Sequence, residues 1–167
     1  MSDYSLTQAK AQLASVCAMV AALECDYDRL AELRAERDVH NAECPEDGNE
    51  WNFEYPDEAA ELAELEQAAG ECEDAEDARD AILQDPLSVE VRSGWDSANA
   101  ELAPTEYRIV LCTGGPHVEI RGELDEYGEP WNAALYYSDW FESNREYPAS
   151  SEEQEALLAY ARQFFGQ

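Results

Sequence analysis

The stretch YRIVLCTGGPHVEIRGEL, which runs from Tyr107 to Leu124, decides the fold of this chain. Its first six residues are nearly all apolar and predict a buried strand. After Pro116, apolar residues alternate with polar ones, as in a strand with one buried face. The TGGP segment between them, residues 113–116, has the composition of a tight turn. The stretch therefore predicts an antiparallel hairpin.

Two more strands flank this hairpin. Residues 87–92 (LSVEVR) alternate with period two, and residues 131–140 form a second aromatic and aliphatic run. The EYGEP turn, residues 126–130, joins the last strand to the hairpin, which predicts a four-stranded antiparallel meander. Ser150 and Glu153 form a capping box that opens a helix reaching Phe165, whose apolar face suits it to cover the sheet.

The first third of the chain is predicted to be helical. Four unbroken apolar heptads run from Leu6 to Leu30, which predicts one long helix from Ser5 to Val39 with a narrow seam. The nearest partner is a helix from Asp57 to about Gly70, which begins at a proline. The two would pair as an antiparallel helical hairpin, with Leu23 and Leu65 buried between them.

Shorter elements complete this region. Trp51, Phe53 and Tyr55 alternate along the connection and predict an extended segment. Gly70 is expected to interrupt the second helix, and a shorter helix is expected at residues 75–84, where Asp-Pro ends it.

The predicted fold is therefore α+β. It has an N-terminal antiparallel, coiled-coil-like helical hairpin, and a four-stranded antiparallel sheet packed with a C-terminal helix. The corresponding division is an acidic helical hairpin region, residues 1–85, and a sheet with its C-terminal helix, residues 86–167.

The charge balance restricts the partners. Thirty-nine acids face ten bases, which gives a formal net charge of −29, yet the chain has four Trp, nine Tyr and four Phe. The aromatic content is that of a folded protein and not of a disordered acidic tail. Direct binding to nucleic acid or to an anionic membrane is disfavoured, and a strongly basic partner is favoured.

The acids are concentrated between Glu43 and Asp80, where sixteen acids face one base, Arg79. Residues 57–80 carry eleven of them. If this segment were mostly helix, it would be about 36 Å long with roughly one negative charge per 3.3 Å. One strand of B-DNA carries one phosphate per roughly 3.4 Å. The similar densities suggest a mimic of nucleic acid.

The acidic face that would carry this mimicry consists of the acids turned away from the hairpin seam. They are Glu58, Glu61, Glu64, Glu73, Asp74, Glu76, Asp77 and Asp80. A secondary acidic patch is expected at the turn before the fourth strand: Glu123, Asp125, Glu126 and Glu129.

Catalytic chemistry finds little support in the residue inventory. Cys112 and His117 could approach each other across the TGGP turn, but a buried thiol beside a rim histidine is favoured over a nucleophilic dyad. The turn lies between strands and lacks the lysine of a phosphate-binding loop. Acid clusters around Asp74 do not match the twelve-residue calcium loop. We expect no enzymatic activity, no metal site and no cofactor.

The compartment is expected to be the cytosol of a bacterial host. The five cysteines are an odd number without C-x-x-C pairs, which favours reduced thiols. The N-terminus is polar and acidic, which does not suggest a signal peptide. No apolar run is expected to be long enough to cross a membrane.

Four motifs support a resemblance. LSVEVRSGW (residues 87–95), LCTGGP (111–116), GELDEYGEP (122–130) and YARQFF (160–165) resemble a family of small acidic proteins of phages and other bacterial mobile elements. The resemblance covers roughly the second half of the chain and implies a genomic setting in which host nucleases must be survived. It brings no catalytic residues. In charge and size the whole chain is similar in kind to anti-restriction proteins, anti-CRISPR proteins and uracil-DNA glycosylase inhibitors.

Two functions of different classes follow. The first is a non-enzymatic, acidic DNA-mimic inhibitor that blocks the DNA-binding surface of a bacterial CRISPR-Cas effector, restriction enzyme or DNA-repair nuclease. The alternative is a structural, assembly or adaptor protein that binds a partner helix through the N-terminal heptads. A homodimer is favoured over a monomer, because the long helix and the aromatic connection leave apolar surface over.

Overall fold

The structure is a computed structural model that describes residues 4–43, 50–95, 97, 102–139 and 143–165. The end of the predicted fourth strand at Trp140 and the acids Glu46 and Asp47 lie outside the described residues. The helices within these ranges are α1 (Tyr4–Leu23), α2 (Tyr27–Glu43), α3 (Glu50–Glu54), α4 (Pro56–Ala69), α5 (Ala75–Gln84) and α6 (Ser151–Arg162). The strands are β1 (Ser88–Arg92), β2 (Glu106–Cys112), β3 (His117–Glu123), β4 (Ala134–Ser138) and β5 (Arg145–Glu146).

The chain divides into two compact units. The hairpin unit is Ala21–Ala78, and the sheet unit combines Met1–Val20 with Arg79–Gln167. This division differs from the boundary at residue 85 that the sequence suggested. Most of α1 belongs to the sheet unit. The boundary between the units also falls inside α5, after its fourth residue, Ala78.

The prediction of one helix from Ser5 to Val39 is wrong. α1 ends at Leu23 and α2 begins at Tyr27. Asp26 explains the new start, because its Oδ1 accepts a hydrogen bond from the backbone N–H of Arg29 at 3.0 Å, as a helix-capping side chain does. The heptads continue through this break, so hydrophobic periodicity alone could not reveal it.

A helical hairpin is confirmed, with α2 as the partner of α4. The helices are antiparallel: Cys25, just before α2, donates to the carbonyl of Leu65, and His40 near the end of α2 meets Glu54, just before α4. The hydrophobic core consists of Leu30, Leu33, Trp51, Leu62 and Ala69. The prediction that Leu23 and Leu65 are buried is wrong, since both are only half-buried.

The connection at residues 51–55 is helical and not extended. The Tyr55 N–H donates to the carbonyl of Trp51 at 2.8 Å, which closes a helical turn before Pro56 starts α4. Trp51 is buried, whereas the Phe53 side chain is 92% exposed. A strand would have placed these aromatics on one face, but a helix turns Phe53 to the opposite side.

The antiparallel sheet has the order β1-β2-β3-β4-β5. The predicted hairpin around the TGGP turn is confirmed, and its register pairs Ile109 with Ile120, which pairs in turn with Leu135. The sheet has five strands in the described residues, because Arg145 and Glu146 add a short edge to β4. One face of the central strands forms the core of the sheet unit, through residues such as Ile109, Val118, Ile120 and Leu135.

Helices complete the sheet unit. The capping box of α6 is confirmed: Ser150 Oγ accepts from the Glu153 N–H, and the Glu153 carboxylate accepts from the Ser150 N–H. Tyr160 of α6 is fully buried. Its hydroxyl donates a hydrogen bond of 2.6 Å to Asp85, the residue that follows α5. α6 contacts β4, as expected of a helix that covers the sheet.

α1 is twenty residues long, with a window of mean hydropathy 1.3. By length and composition alone it could cross a membrane, so the expectation that no run is long enough is wrong. Its single charged residue is Lys10. Its apolar stripe of Ala9, Leu13, Val16 and Val20 is buried within the sheet unit, and core helices meet the same criterion.

Candidate acidic interface

The predicted acidic face lies on two helices and the turn between them. Its α4 members are half-exposed or exposed, and its members near the start of α5 are all exposed. In the hairpin unit these are Glu58, Glu61, Glu64, Glu73, Asp74, Glu76 and Asp77. Asp80, the eighth, is exposed on α5 but groups with the sheet unit. Gly70, with a φ of +59°, separates α4 from the turn, so the acids do not follow one straight helix.

The arginines of the hairpin unit lie on its seam. Residues 21–78 contain twenty-one acids and only three bases of the Lys/Arg type, all arginines. Arg29 grips both oxygens of Glu61, with Nε at 3.0 Å and Nη2 at 2.8 Å. Arg34 and Arg37 both reach Glu66 Oε1, at 3.2 and 3.3 Å. The positive charges therefore join α2 to α4.

Glu61 accordingly differs from the other predicted face residues. The hydrogen bonds from Arg29 hold the pKa of its carboxyl below the usual value. The paired carboxylate stabilises the hairpin and is less available to a partner.

Asp74 and Asp77 build the start of α5. Asp74 Oδ1 accepts from the backbone N–H groups of Glu76 and Asp77, both at 2.9 Å. Asp77 Oδ2 accepts from the Glu73 N–H at 3.3 Å. The Asp74 carboxylate thus satisfies first-turn amides that lack partners within the helix. The Asp77 carboxylate instead binds an amide of the preceding turn.

Within the hairpin unit, three carboxylates of the predicted face are exposed and make no internal contact of this kind. In the part of the chain that the structure describes, the side chains of Glu64, Glu73 and Glu76 form no ion pair or hydrogen bond. We call Glu64, Glu73 and Glu76 the open acids. They are the members best able to meet an incoming cation without breaking an internal contact.

The secondary acidic patch is partly structural as well. Asp125 Oδ1 accepts from the N–H groups of Tyr127 and Glu129, at 2.8 and 2.9 Å, and so forms the turn. Glu123 Oε2 accepts from Asn132 at 3.2 Å. Glu126 is exposed, and its side chain forms no hydrogen bond or ion pair with the described residues.

Sequence reasoning missed a charged cluster around Glu119, whose side chain is fully buried on the polar face of the sheet. Asn144 Nδ2 donates to Glu119 Oε1 at 2.6 Å, and the Arg121 guanidinium contacts the same oxygen. His117 Nε2 lies 3.0 Å and Arg108 Nε lies 3.7 Å from Oε2. These are charge contacts only, since Oε2 accepts no hydrogen bond from the described residues.

The arrangement of this cluster favours a structural role. Two arginines face one buried carboxylate, and Arg108 is also held by Glu90, whose pKa is lowered mainly by that hydrogen bond. The signal was present in the alternation of His117, Glu119 and Arg121. Only the strand register, which sets Arg108 opposite Arg121, brings the fourth member to them.

Cys112 and His117 do not form a catalytic pair. The Cys112 thiol points to the Pro116 carbonyl at 3.7 Å, and burial raises its pKa, the reverse of what a nucleophile needs. His117 faces Glu119 instead. The sequence predicts a buried thiol beside a rim histidine; His117 is half-buried as expected of a rim residue, but the Cys112 thiol is only part-buried.

Among the described residues, no group of three or more His, Cys, Asp or Glu side chains is placed to hold a metal ion. No protein-family model, curated protein or solved structure matches the chain.

Proposed function

We propose that this protein is a non-enzymatic inhibitor that offers carboxylates to the DNA-binding surface of a basic bacterial defence protein, such as a CRISPR-Cas effector or a restriction enzyme. The observation that carries the proposal is the distribution of charge in the hairpin unit. Its three arginines are taken up by Glu61 and Glu66 on the α2–α4 seam, which leaves the open acids exposed. The negative surface therefore lies on two helices and on the turn between them.

The physical basis is competition for a cationic surface. DNA-binding channels are rich in Lys and Arg, and association between opposite charges releases small ions. Such binding is fast at low salt and weakens steeply as salt is added. Because the acids stand on helices with a buried core, less conformational entropy is lost on binding than with a disordered acidic tail.

The buried stripe of α1 favours this function over a helix-binding adaptor. The adaptor would need the heptad positions to be accessible, yet Leu13, Val16 and Val20 are at most 5% exposed. The heptads are also divided between two helices, because α1 ends at Leu23 and α2 begins at Tyr27. The cytosol of a bacterial host and a mobile genetic element remain the setting that we propose.

A displacement experiment tests the function. Bacterial lysate is loaded on double-stranded DNA cellulose at low salt, and the column is eluted with this protein. We expect specific DNA-binding proteins to be released, and their direct complex with the inhibitor to dissociate when salt is raised. Release of nothing beyond what a buffer wash removes, across lysates of several bacterial hosts, would contradict the proposal.

The variant Glu64→Lys, Glu73→Lys and Glu76→Lys locates the contact. It reverses the open acids without removing the Asp74 cap or the Arg29–Glu61 pair, and we expect it to lose displacement. The matched control reverses Glu126, Glu152 and Glu155, three exposed acids of the sheet unit. Each set includes one acid in the first turn of a helix, so the helix-dipole cost, about 0.3–1 kcal/mol, is shared. Loss in the control alone would move the contact to the sheet unit.

A further inference from the structure

The hairpin unit contains an open pocket of about 520 Å³ between α2, α3 and the start of α4. Its lining combines aliphatic, aromatic and acidic side chains: Ala35, Glu36, Val39, His40, Glu43, Trp51, Tyr55 and Glu58. Only Glu58 of this lining belongs to the predicted acidic face. The volume is large enough for a side chain of a partner.

One wall of the pocket is aromatic. The Trp51 and Tyr55 rings lie 6.3 Å apart with a tilt of 34°, and the His40 ring meets Tyr55 edge-on at 5.8 Å. His40 is fixed by Glu54, whose carboxylate lies 3.1 Å from Nε2. Trp51 is anchored in the hydrophobic core. The wall is therefore held in place before any ligand arrives.

The rim of the pocket is acidic. Glu36, Glu43 and Glu58 line it, and none of the three forms an ion pair with a described residue. Trp51 is buried, so the exposed aromatic face of the pocket is that of Tyr55. Negative charge beside this face attracts a cation, through Coulomb attraction and through the quadrupole of the ring. A neutral apolar ligand would leave these carboxylates partly desolvated without a partner.

We propose that this pocket binds an arginine side chain of a basic partner protein. The planar guanidinium stacks on aromatic rings and donates to carboxylates in two directions, whereas the ammonium of lysine is a compact and more strongly hydrated charge. The inference depends on the proposed function only for the protein that supplies the arginine. The pocket would anchor one side chain, and the open acids would attract the surrounding basic surface.

The test uses the whole protein and two peptides of equal size, acetyl-Gly-Arg-Gly-amide and its citrulline counterpart. Citrulline keeps the shape of arginine but is neutral. Binding is followed by NMR on the indole N–H of Trp51, assigned by Trp51→Phe. We expect the arginine peptide to shift this signal saturably and the citrulline peptide to bind at least tenfold more weakly. Equal binding of the two peptides, or no shift with either, would overturn the proposal.

Two pairs of variants separate the pocket from general attraction to an acidic protein. Tyr55→Leu removes an aromatic face but keeps apolar bulk, and Phe53→Leu is its control, since Phe53 is exposed outside the pocket. Glu58→Gln removes a rim charge, and Asp57→Asn removes an exposed charge in the same first turn of α4 but outside the pocket lining. We expect Tyr55→Leu and Glu58→Gln to weaken binding by about two- to tenfold, and the controls by less than twofold.

The outcomes distinguish this inference from the proposed function. If the controls weaken binding as much as their partners, the attraction is general and the pocket is refuted. Peptide binding that follows the pocket variants supports it, even if no protein is displaced from DNA cellulose. If the peptide does not bind, and the Tyr55 and Glu58 variants still displace proteins from DNA cellulose, the inhibitor function is supported and the arginine pocket is refuted.

Discussion

Replacing Glu119 with glutamine tests whether the buried carboxylate organises the polar face of the sheet. The substitution keeps the shape of the side chain but removes its charge. One oxygen can still accept from Asn144, as Glu119 Oε1 does at 2.6 Å. The interactions with Arg121 and Arg108 lose their charge assistance, and one of the two terminal atoms becomes a donor facing other donors.

The expected loss follows from the burial of the partners. Hydrogen bonds to charged groups contribute about 1.5–3 kcal/mol. Breaking a fully buried ion pair costs roughly 3–5 kcal/mol, but Arg108 and Arg121 are 45% and 42% exposed and can recover hydration. We therefore expect the free energy of unfolding to fall by about 1.5–3 kcal/mol, which lowers Tm by about 3–12 °C in a chain of this size.

The assay must report on the sheet unit, because a chain with two compact units need not unfold in one transition. Hydrogen exchange at the amides of Val118 and Ile120, on either side of Glu119, gives that local free energy. The control is Glu106→Gln on the same face, whose carboxylate pairs with Arg92 through an Nε contact of 2.8 Å. Both partners there are exposed, so a loss of about 0.2–1 kcal/mol is expected. Equal losses for the two variants would refute the reasoning.

Two further predictions concern stability. Gly122→Ala should lower the free energy of unfolding by about 1–3 kcal/mol in chemical denaturation. A Cβ at this position would clash with the Asn132 carbonyl and lie 2.5 Å from the Tyr107 ring. Gly94→Ala is the control and should change the free energy of unfolding little, because the space around Gly94 is open. Alkaline pH should destabilise the fold, since burial raises the pKa of Tyr27 to about 12 and raises those of Tyr107 and Tyr160 as well. Their folded-state pKa exceeds the ordinary value of 10, so this contribution is complete below pH 10 and is lost as pH rises towards 12. Ultraviolet titration of tyrosine in the native protein should then show late ionisation, and an early, uniform titration in protein that is still folded would contradict the burial.

Local signals predicted much of the fold. The TGGP turn, the capping box at Ser150 and the residues that bracket α5 each act over a few positions, and the structure confirms the hairpin, α6 and the bounds Ala75–Gln84. Gly70 ends α4 as expected, with a positive φ. Such features can be predicted from sequence because their physical cause lies in a few consecutive residues.

The predictions that the structure contradicts concern segments whose conformation depends on contacts with residues distant in sequence. The heptads continue across Asp26, although most of α1 groups with the sheet unit and α2 packs against α4. The Asp26 cap marks where α2 begins, but the apolar pattern does not show that the two helices have different partners. Likewise, the alternation of Trp51, Phe53 and Tyr55 predicted an extended segment. The segment is instead a helical turn, and Trp51 is buried in the hydrophobic core of the hairpin unit. Periodicity states which face is apolar, and not which element covers it.

The candidate site shows the same limit in its charges. Counting acids predicted a negative surface but treated its members as equivalent, whereas Glu61 holds Arg29, Asp74 caps α5 and Asp125 closes a turn. A carboxylate that satisfies an internal donor stabilises the fold, and its removal would weaken partner binding indirectly, through lost structure. The open acids Glu64, Glu73 and Glu76 separate the two effects, because their charges can change while every hydrogen bond described above stays in place. Recognition of a basic partner is therefore best examined at the carboxylates that the fold itself does not use.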